Sequence, residues 1–155
     1  MKILVVYDSY FGNTEKVAQA IGGALGDDAA VKRPGDVEIG ELSELDVLIV
    51  GSPTRAFRSS DAIKDFLKKI PSGELKGVKV AAFDTRIAKE DTENPVLRFM
   101  VNIFGYAAKP IYEKLVGKGG EPLGEPAGFI VLGTEGPLKE GELEKAVAWA
   151  KSLTS

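Results

Sequence analysis

The sequence predicts an α/β fold, a doubly wound parallel sheet with helices on both faces, and two observations support that prediction. First, short apolar runs recur along the chain without alternating polar residues, which is typical of strands buried on both faces. Second, the segments between these runs repeat apolar residues every three or four positions, as amphipathic helices do. Because strand and helix alternate throughout, we expect right-handed βαβ units within one domain that spans residues 1–155.

The predicted strands are four apolar runs and one weaker segment. The weaker segment, Ala29–Lys32, is short enough to be an edge strand. None of the four runs alternates apolar with polar residues, so each is expected in the interior of the sheet. They cover Ile3–Tyr7 and residues 47–50, 78–83 and 129–132.

Helical patterns lie between and after these strands. The first covers Asn13–Leu25, and the second begins after Ser60 or Asp61, either of which suits an N-cap. Another begins at Pro110, a residue type that the first turn of a helix accepts. The last helix is expected from about Lys139.

A further apolar stripe lies just before Pro110 and ends at Gly105. Its spacing fits a helix that covers the sheet, and it fits equally well a lid or a surface for self-association. The second interpretation predicts a homodimer through residues 96–106. The stripe consists of Leu97, Met100, Val101 and Phe104.

The composition excludes several kinds of chemistry. The chain has no Cys, which excludes disulfides, Cys-ligated zinc, iron–sulfur clusters and thiol nucleophiles. It also has no His, the commonest general base and metal ligand. The formal charge of -3 offers no electrostatic footprint for nucleic acid. We therefore expect a bound cofactor, rather than a catalytic side chain, to supply any chemistry.

Neither a metal site nor a membrane segment is expected. The acidic residues at 27–28 and 90–93 fit solvated loops better than an all-carboxylate metal site. The longest mostly apolar segment, residues 95–112, falls short of the roughly 20 apolar residues of a membrane span. The N-terminal apolar run is too short for a signal peptide, so a soluble, cytoplasmic protein is expected.

The loop after the first strand has the features of an anion site. It reads Ser9-Tyr10-Phe11-Gly12-Asn13-Thr14 and joins a buried strand directly to a helix N-terminus, where free N–H groups and the helix dipole favour an anion. Gly12 lets the backbone approach closely, and Ser9 and Thr14 supply hydroxyl donors. The alternative is that Ser9 or Asn13 only caps the helix. The loop matches neither a Walker A motif nor a G-x-G-x-x-G fingerprint.

This loop resembles the phosphate-binding loop of the flavodoxin family, which cups the phosphate of FMN with hydroxyls and backbone amides. The segment Gly51-Ser52-Pro53-Thr54 is similar to a motif that the family carries after its third strand. Strand and helix order also agree over essentially the whole chain. The resemblance implies a five-stranded parallel sheet of order 2-1-3-4-5 and FMN as the cofactor. Phe11 departs from it, because the family often has a hydroxyl residue there, although flavodoxin-like quinone reductases carry an aromatic.

The resemblance places two further loops beside the flavin ring. Residues 53–58 would run along the isoalloxazine, where Phe57 is the natural stacking residue unless it packs on the following helix. Residues 84–87 would meet the pyrimidine end. No aromatic residue lies between Asp84 and Pro95, so Ile87 or a later residue covers the outer ring face, or that face stays open. The full set of expected cofactor-binding residues is Ser9, Tyr10, Phe11, Gly12, Asn13, Thr14, Ser52, Pro53, Thr54, Arg55, Ala56, Phe57, Asp84, Thr85 and Arg86.

Two functions fit these features, and a third is less well supported. The favoured one is an electron carrier that passes low-potential electrons between redox partner proteins or to a small acceptor. The alternative is an FMN-dependent reductase that takes hydride from NAD(P)H and reduces a quinone. A flavin-free interaction module is disfavoured by the intact phosphate loop. A receiver domain shares the architecture, but its acidic pair, its Asp and its Lys are absent from the ends of these strands.

Three of the five arginines fall in the two loops expected beside the flavin, namely Arg55, Arg58 and Arg86. Positive charge near the ring stabilises the anionic reduced flavin by the same electrostatics that shift a pKa. The sequence therefore predicts a hydroquinone couple less negative than in flavodoxins with acidic surroundings, and more negative values for Arg55→Gln and Arg86→Gln. The alternative is that these side chains face solvent or form weak ion pairs with Asp61, Asp84 or Glu90.

Overall fold

The apolar runs of the sequence form neighbouring strands of one parallel sheet in the computed structural model, which describes residues 1–55, 58–87, 95 and 106–154. The strands are β1 Ile3–Tyr7, β2 Ala29–Lys32, β3 Val47–Pro53, β4 Lys79–Arg86, β5 Glu121–Pro122 and β6 Ala127–Ile130. The α-helices of the described residues are α1 Asn13–Leu25, α2 Asp61–Lys69, α3 Ala108–Gly117 and α4 Glu142–Leu153. Two short 3-10 helices, Pro34–Asp36 and Ile39–Glu44, connect β2 to β3.

The sheet order is β2-β1-β3-β4-β5, so the expected order 2-1-3-4-5 is confirmed. The last strand is split, because β5 and β6 both pair in parallel with β4. The chain advances from Pro122 to Ala127 while β4 advances only from Val80 to Phe83. Two extra residues therefore form a bulge in the last strand, which re-aims the chain before it reaches the carboxyl edge of the sheet.

Three strands have different bounds from those expected. The middle strands continue past the apolar runs to Pro53 and Arg86, and they carry Ser52 and Asp84 in buried positions. An apolar run marks only the part of a strand that packs under the helices, whereas the ladder of hydrogen bonds continues into the polar ends. The last strand, expected over residues 129–132, instead covers Ala127–Ile130.

Successive side chains of each strand pack into two cores, one on each face of the sheet. Leu4 and Val6 lie in the core beneath α2 and α3, whereas Ile3 and Val5 lie in the core beneath α1 and α4. This division follows from the period of two along a strand. It explains why the runs show no alternation, since both faces of the sheet are covered.

One close packing contact near the carboxyl edge requires a glycine. A Cβ at Gly51 would overlap the ring of Phe83 on the neighbouring strand. That ring makes edge-to-face contacts with Phe129 and Trp149, each with centroids 6.2 Å apart. Gly51 thus lets β3 pass an aromatic cluster that joins β4, β6 and α4.

The helices largely follow the sequence pattern. The bounds of α1 are as expected, and α2 begins at Asp61 with Ser60 as its N-cap. The expected start at Pro110 is wrong by two residues, because α3 begins at Ala108. The expected start near Lys139 is also wrong, because the Lys139 N–H bonds Ile130 O beside the sheet and α4 begins only after Gly141. The stripe within residues 97–104 lies outside the described residues.

Candidate functional site

The carboxyl ends of β1, β3 and β4, with the loop after β6, surround a cavity of about 300 Å³. This is the edge at which ligands bind in open parallel sheets. Most of the residues expected to bind a cofactor line it, namely Ser9, Tyr10, Phe11, Asn13, Thr14, Pro53, Thr54, Arg55, Thr85 and Arg86. Gly12, Ser52 and Asp84 do not form its lining, and Ala56 and Phe57 lie outside the described residues.

The loop between β1 and α1 is closed by its own hydrogen bonds. The Ser9 N–H donates to Asp8 Oδ1 at 2.9 Å, and the Gly12 N–H donates to Ser9 Oγ at 3.0 Å. Gly12 is the N-cap of α1 with φ of 91°, a left-handed conformation that favours glycine. The idea that Ser9 or Asn13 caps α1 is therefore wrong, because the cap residue has no side chain.

The same loop leaves several donors free. Within the described part of the chain, the backbone N–H groups of Tyr10, Phe11, Asn13 and Thr14 make no hydrogen bond to the protein. These donors lie at the N-terminus of a 13-residue helix, where the dipole adds to their preference for negative charge. The chemistry of the loop fits a phosphate group.

Two polar side chains connect this loop to its neighbours. The Asn13 Nδ2 donates to Glu135 O at 3.1 Å, and the hydroxyls of Thr14 and Thr85 lie 2.8 Å apart. Asn13 and Thr14 are both buried, so these hydrogen bonds fix α1 against the loop that follows β6 and against the end of β4. Asn13 thus serves at least one structural contact in addition to lining the cavity.

Arg33, which directly follows the edge strand β2, contacts the loop between β1 and α1. Arg33 contacts Asp8 Oδ1 at 3.1 Å and Ser9 O at 3.4 Å, and its guanidinium lies 5.0 Å above the ring of Tyr7. Burial and the hydrogen bond to Glu15 raise the pKa of Tyr7, so this phenol stays neutral. Arg33 is half exposed, and we assign it a supporting role for the loop.

Ser52, near the end of β3, fixes the segment that follows this strand through hydrogen bonds of its hydroxyl. Its Oγ accepts the Ser60 N–H at 2.9 Å and donates to Pro53 O at 2.9 Å, so Ser52 holds the loop rather than facing the cavity. Arg55 and Arg58 exchange two backbone hydrogen bonds of 2.9 Å, which tie these two residues together. The guanidinium of Arg55 lies 4.8 Å above the ring of Tyr10.

The end of β4 carries a buried ion pair. Asp84 is fully buried, and its carboxylate accepts from Arg86 Nε and Nη2 at 2.6 and 2.7 Å. Burial raises the pKa of Asp84, whereas the hydrogen bonds and the charge of Arg86, the Ala108 N–H and Thr54 act in the opposite direction. The sequence left open whether Arg86 faces solvent or forms an ion pair, and the structure shows the ion pair with Asp84.

The other two arginines differ from Arg86. Arg55 lines the cavity and makes no ion pair with any described residue. Arg58 is exposed and lies outside the lining. Positive charge at the cavity therefore comes mainly from Arg55.

Ile87, Val131 and Thr134 also line the cavity, and sequence reasoning included none of them in the site. A signal for Thr134 was present, because it follows the last apolar run just as the other site loops follow theirs. Ile87 is 37% exposed and was considered only as a cover for the outer ring face.

The part of the chain that the structure describes contains neither a cluster suited to a metal ion nor a membrane-spanning helix. No group of three or more acidic residues there is placed to hold a metal ion. No helix in that part of the chain is long and apolar enough to cross a membrane.

Comparisons with known proteins agree with this geometry. The family model for the flavodoxin domain matches residues 4–112. A flavodoxin from the domain Archaea is 24% identical, with a TM-score of 0.75 over 99% of this chain and 96% of that chain. Oxidised flavodoxin 2 from Bacillus cereus is 26% identical, with a TM-score of 0.75 over 99% and 98% of the two chains. Flavodoxin 1 from the same organism is 22% identical, with a TM-score of 0.76 over 99% and 97%.

Proposed function

This chain belongs to the flavodoxin family, whose cofactor is FMN, and from that premise we propose that it is an electron carrier that passes low-potential electrons between redox partners. The observation that carries the proposal is the cavity at the carboxyl edge of the sheet, which is lined by Tyr10, Phe11, Asn13 and Thr14, the residues whose backbone N–H groups make no hydrogen bond to the described part of the chain. Because the sequence has no His and no Cys, we expect FMN rather than a side chain to supply the redox chemistry, which holds for a carrier and for a reductase alike.

We propose that residues 9–14 hold the phosphate of FMN. Ser9 Oγ accepts a hydrogen bond from Gly12, which leaves its own hydrogen free to donate outward. The free amides of Phe11 and Asn13 lie at the N-terminus of α1, where the helix dipole favours an anion. In this arrangement the amide of Phe11 takes the place of the hydroxyl that the family often has there.

The two loops after β3 and β4 are proposed to flank the flavin ring. Pro53, Thr54 and Arg55 from the end of β3, and Thr85, Arg86 and Ile87 from the end of β4, all line the cavity. FMN supplies the redox chemistry when it is bound, because its ring system accepts and releases electrons one or two at a time. The residues of the protein hold the ring, limit its contact with water and set the charge around it.

Titration of the apoprotein with flavins tests the proposed cofactor site. We expect FMN to bind at one site per chain, with quenching of its fluorescence, and riboflavin to bind at least tenfold more weakly because it lacks the phosphate. FAD should also bind more weakly, since no second phosphate site is proposed. Riboflavin binding as tightly as FMN would show that the loop does not hold the phosphate.

A second measurement separates the carrier from a reductase. The FMN-loaded protein is mixed with NADPH under air, with and without a quinone. A carrier should oxidise NADPH slowly in both cases. Rapid NADPH oxidation that depends on the quinone would contradict the carrier function and support the reductase.

A further inference from the structure

The buried carboxylate of Asp84 lies next to residues that line the proposed cofactor cavity. It is fully buried at the end of β4, and its sequence neighbour Thr85 lines the cavity. A buried charge is costly unless it is paired and hydrogen-bonded. The effect of Asp84 on the site therefore depends on the groups that pair with its carboxylate.

Both oxygens of this carboxylate accept hydrogen bonds from nitrogen donors. Arg86 approaches in a two-pronged arrangement, with Nε 2.6 Å from Oδ1 and Nη2 2.7 Å from Oδ2. The Ala108 N–H adds a third hydrogen bond to Oδ2, at 2.8 Å. Because the geometry uses both oxygens as acceptors, it is that of an ionised carboxylate with an arginine.

The guanidinium of Arg86 is confined by an aromatic ring and by the neighbouring strand, in addition to its ion pair with Asp84. Its Cζ lies 3.8 Å from the ring centroid of Tyr106, a stacking distance for a cation on an aromatic ring. On the neighbouring strand, a Cβ at Gly128 would overlap the guanidinium, so the absence of a side chain at Gly128 leaves the space that Arg86 fills. Arg86 therefore has little freedom to turn toward or away from the cavity.

One end of the guanidinium has no partner in the described part of the chain, because Nη1 makes no hydrogen bond there. Arg86 lines both the cavity and a second pocket, which Tyr106 also lines. The charge of Arg86 is offset at close range by Asp84, and the field of such a pair falls off much faster than the field of a lone cation.

We propose that Asp84 is a positioning residue that fixes Arg86 in the cavity wall and cancels its charge, so that Arg86 presents a hydrogen-bond donor to FMN without a net positive charge. This inference rests on the proposed function, because it assumes that the cavity holds the flavin. It differs from the sequence-based prediction for Arg86, in which the full charge of this residue favoured the reduced flavin.

The consequence concerns how tightly the protein holds each redox form. Fully reduced FMN carries an additional negative charge, which an uncompensated cation nearby would stabilise. With the pair intact, the protein gains little preference for the reduced form at this position. Removing the carboxylate alone would leave Arg86 as a lone cation and would shift the preference toward reduced FMN.

The test compares the ratio of affinities for fully reduced and oxidised FMN in four variants, obtained from the reduction potential together with the affinity for oxidised FMN. In Asp84→Asn we expect this ratio to rise about tenfold or more, because Arg86 is left uncompensated. In Arg86→Gln we expect the wild-type ratio, since the buried carboxylate, whose pKa burial already raises, then takes up a proton. The double variant Asp84→Asn with Arg86→Gln should also return to the wild-type ratio.

Asp27→Asn is the matched control, with the same formal charge change in an exposed turn at the opposite edge of the sheet.

A readout without flavin accompanies the potentials. In the NMR spectrum of the apoprotein, the Nε–H of Arg86 should exchange slowly with water, and this signal should be lost in Asp84→Asn. The absence of the protected signal from the wild type would overturn the proposal. So would an equal change of ratio in Asp84→Asn and in the double variant, because the effect would then not depend on Arg86.

The outcomes separate this inference from the proposed function. A protected Arg86 signal in a protein that does not bind FMN would refute the proposed function and the role toward flavin, while leaving the ion pair established. FMN binding with an unchanged ratio in Asp84→Asn would refute only the inference. If Asp84→Asn fails to fold, Arg86→Gln tests the inference alone. A clear fall in the ratio of affinities for reduced and oxidised FMN in this variant would show that Asp84 does not cancel the charge of Arg86.

Discussion

At the residue scale, Gly12 shows how one backbone conformation makes the anion site. Its φ of 91° turns the chain into α1, where the N–H groups of Asn13 and Thr14 make no hydrogen bond to the described residues. No heavy atom lies within 4 Å of the position that a Cβ would take, so the position is restricted by its dihedral angle rather than by lack of space. Side chains at such a position are strained.

Replacing Gly12 by Glu should abolish FMN binding. The substitution places a carboxylate where the phosphate is proposed to bind and strains the backbone at the N-cap. Gly141→Glu is the matched control, because Gly141 is the N-cap of α4 with φ 89° and ψ -9°, against 91° and -6° at Gly12. Flavin fluorescence titration should show no binding in the first variant and near wild-type affinity in the second. Equal losses in both would point to misfolding.

Arg55 is the residue through which charge at the cavity is best tested. It lines the cavity without an ion pair to any described residue, and it stacks over Tyr10. We expect Arg55→Gln to make the potential of the FMN hydroquinone couple more negative, because a cation that favours the reduced form is removed. Spectroelectrochemical titration measures the change.

Arg58→Gln is the control for this prediction. Arg58 exchanges backbone hydrogen bonds with Arg55 and carries the same charge, but it does not line the cavity. Its substitution should move the potential clearly less than that of Arg55. Equal shifts in the two variants would indicate a general effect of net charge instead of a local one.

At the element scale, the start of α3 depends on residues of the cavity loops. The Ala107 N–H donates to Thr54 Oγ1 at 3.1 Å, and the Ala108 N–H donates to Asp84 Oδ2. The N-cap itself, Ala107, has no side-chain hydrogen bond to offer. Helix N-termini leave unpaired donors that must find partners, and here the ends of β3 and β4 supply them.

Thr54→Val should therefore destabilise the apoprotein by about 1 kcal/mol, the typical loss for one helix-capping hydrogen bond. Chemical denaturation of the flavin-free protein measures this without interference from the cofactor. Thr154→Val is the control, since Thr154 is exposed and its side chain makes no hydrogen bond to any described residue. A loss no larger than that of the control would mean that the Thr54 hydroxyl does not cap α3.

At the scale of the whole molecule, apolar and aromatic side chains surround the mouth of the cavity. Tyr10 and Phe11, which line the cavity, are 46% and 47% exposed, and Ile87 in the same lining is also exposed. Large exposed side chains of this kind are typical of surfaces that meet other proteins. The homodimer predicted from residues 96–106 lies outside the described residues and stays a prediction.

The association prediction is tested by the double variant Met100→Glu with Phe104→Glu. If the stripe is an interface, light scattering coupled to gel filtration should show a lower mass for this variant than for the wild type, because charges cannot be buried in an apolar interface. Leu143→Glu, a charge placed on an exposed leucine of α4, should leave the mass unchanged. A monomeric wild type would contradict the interface.

The sequence by itself determined the class of fold, the bounds of α1 and the loop at its N-terminus. These features depend on short-range patterns: buried strands produce unbroken apolar runs, helices produce a period near four, and a glycine between strand and helix marks the loop. The resemblance carried by residues 9–14 and 51–54 added the sheet order and the cofactor, and both are confirmed.

Only the tertiary structure decided which polar groups pair across the site. The partner of Arg86 follows from the length of β4, because residues two apart on a strand point to the same face, and the apolar run ended before Asp84. The split of the last strand, the capping of α3 by Thr54 and the place of Thr134 in the cavity each join residues far apart in the chain. Such contacts depend on how the elements pack against one another, and no local pattern of the sequence records that packing.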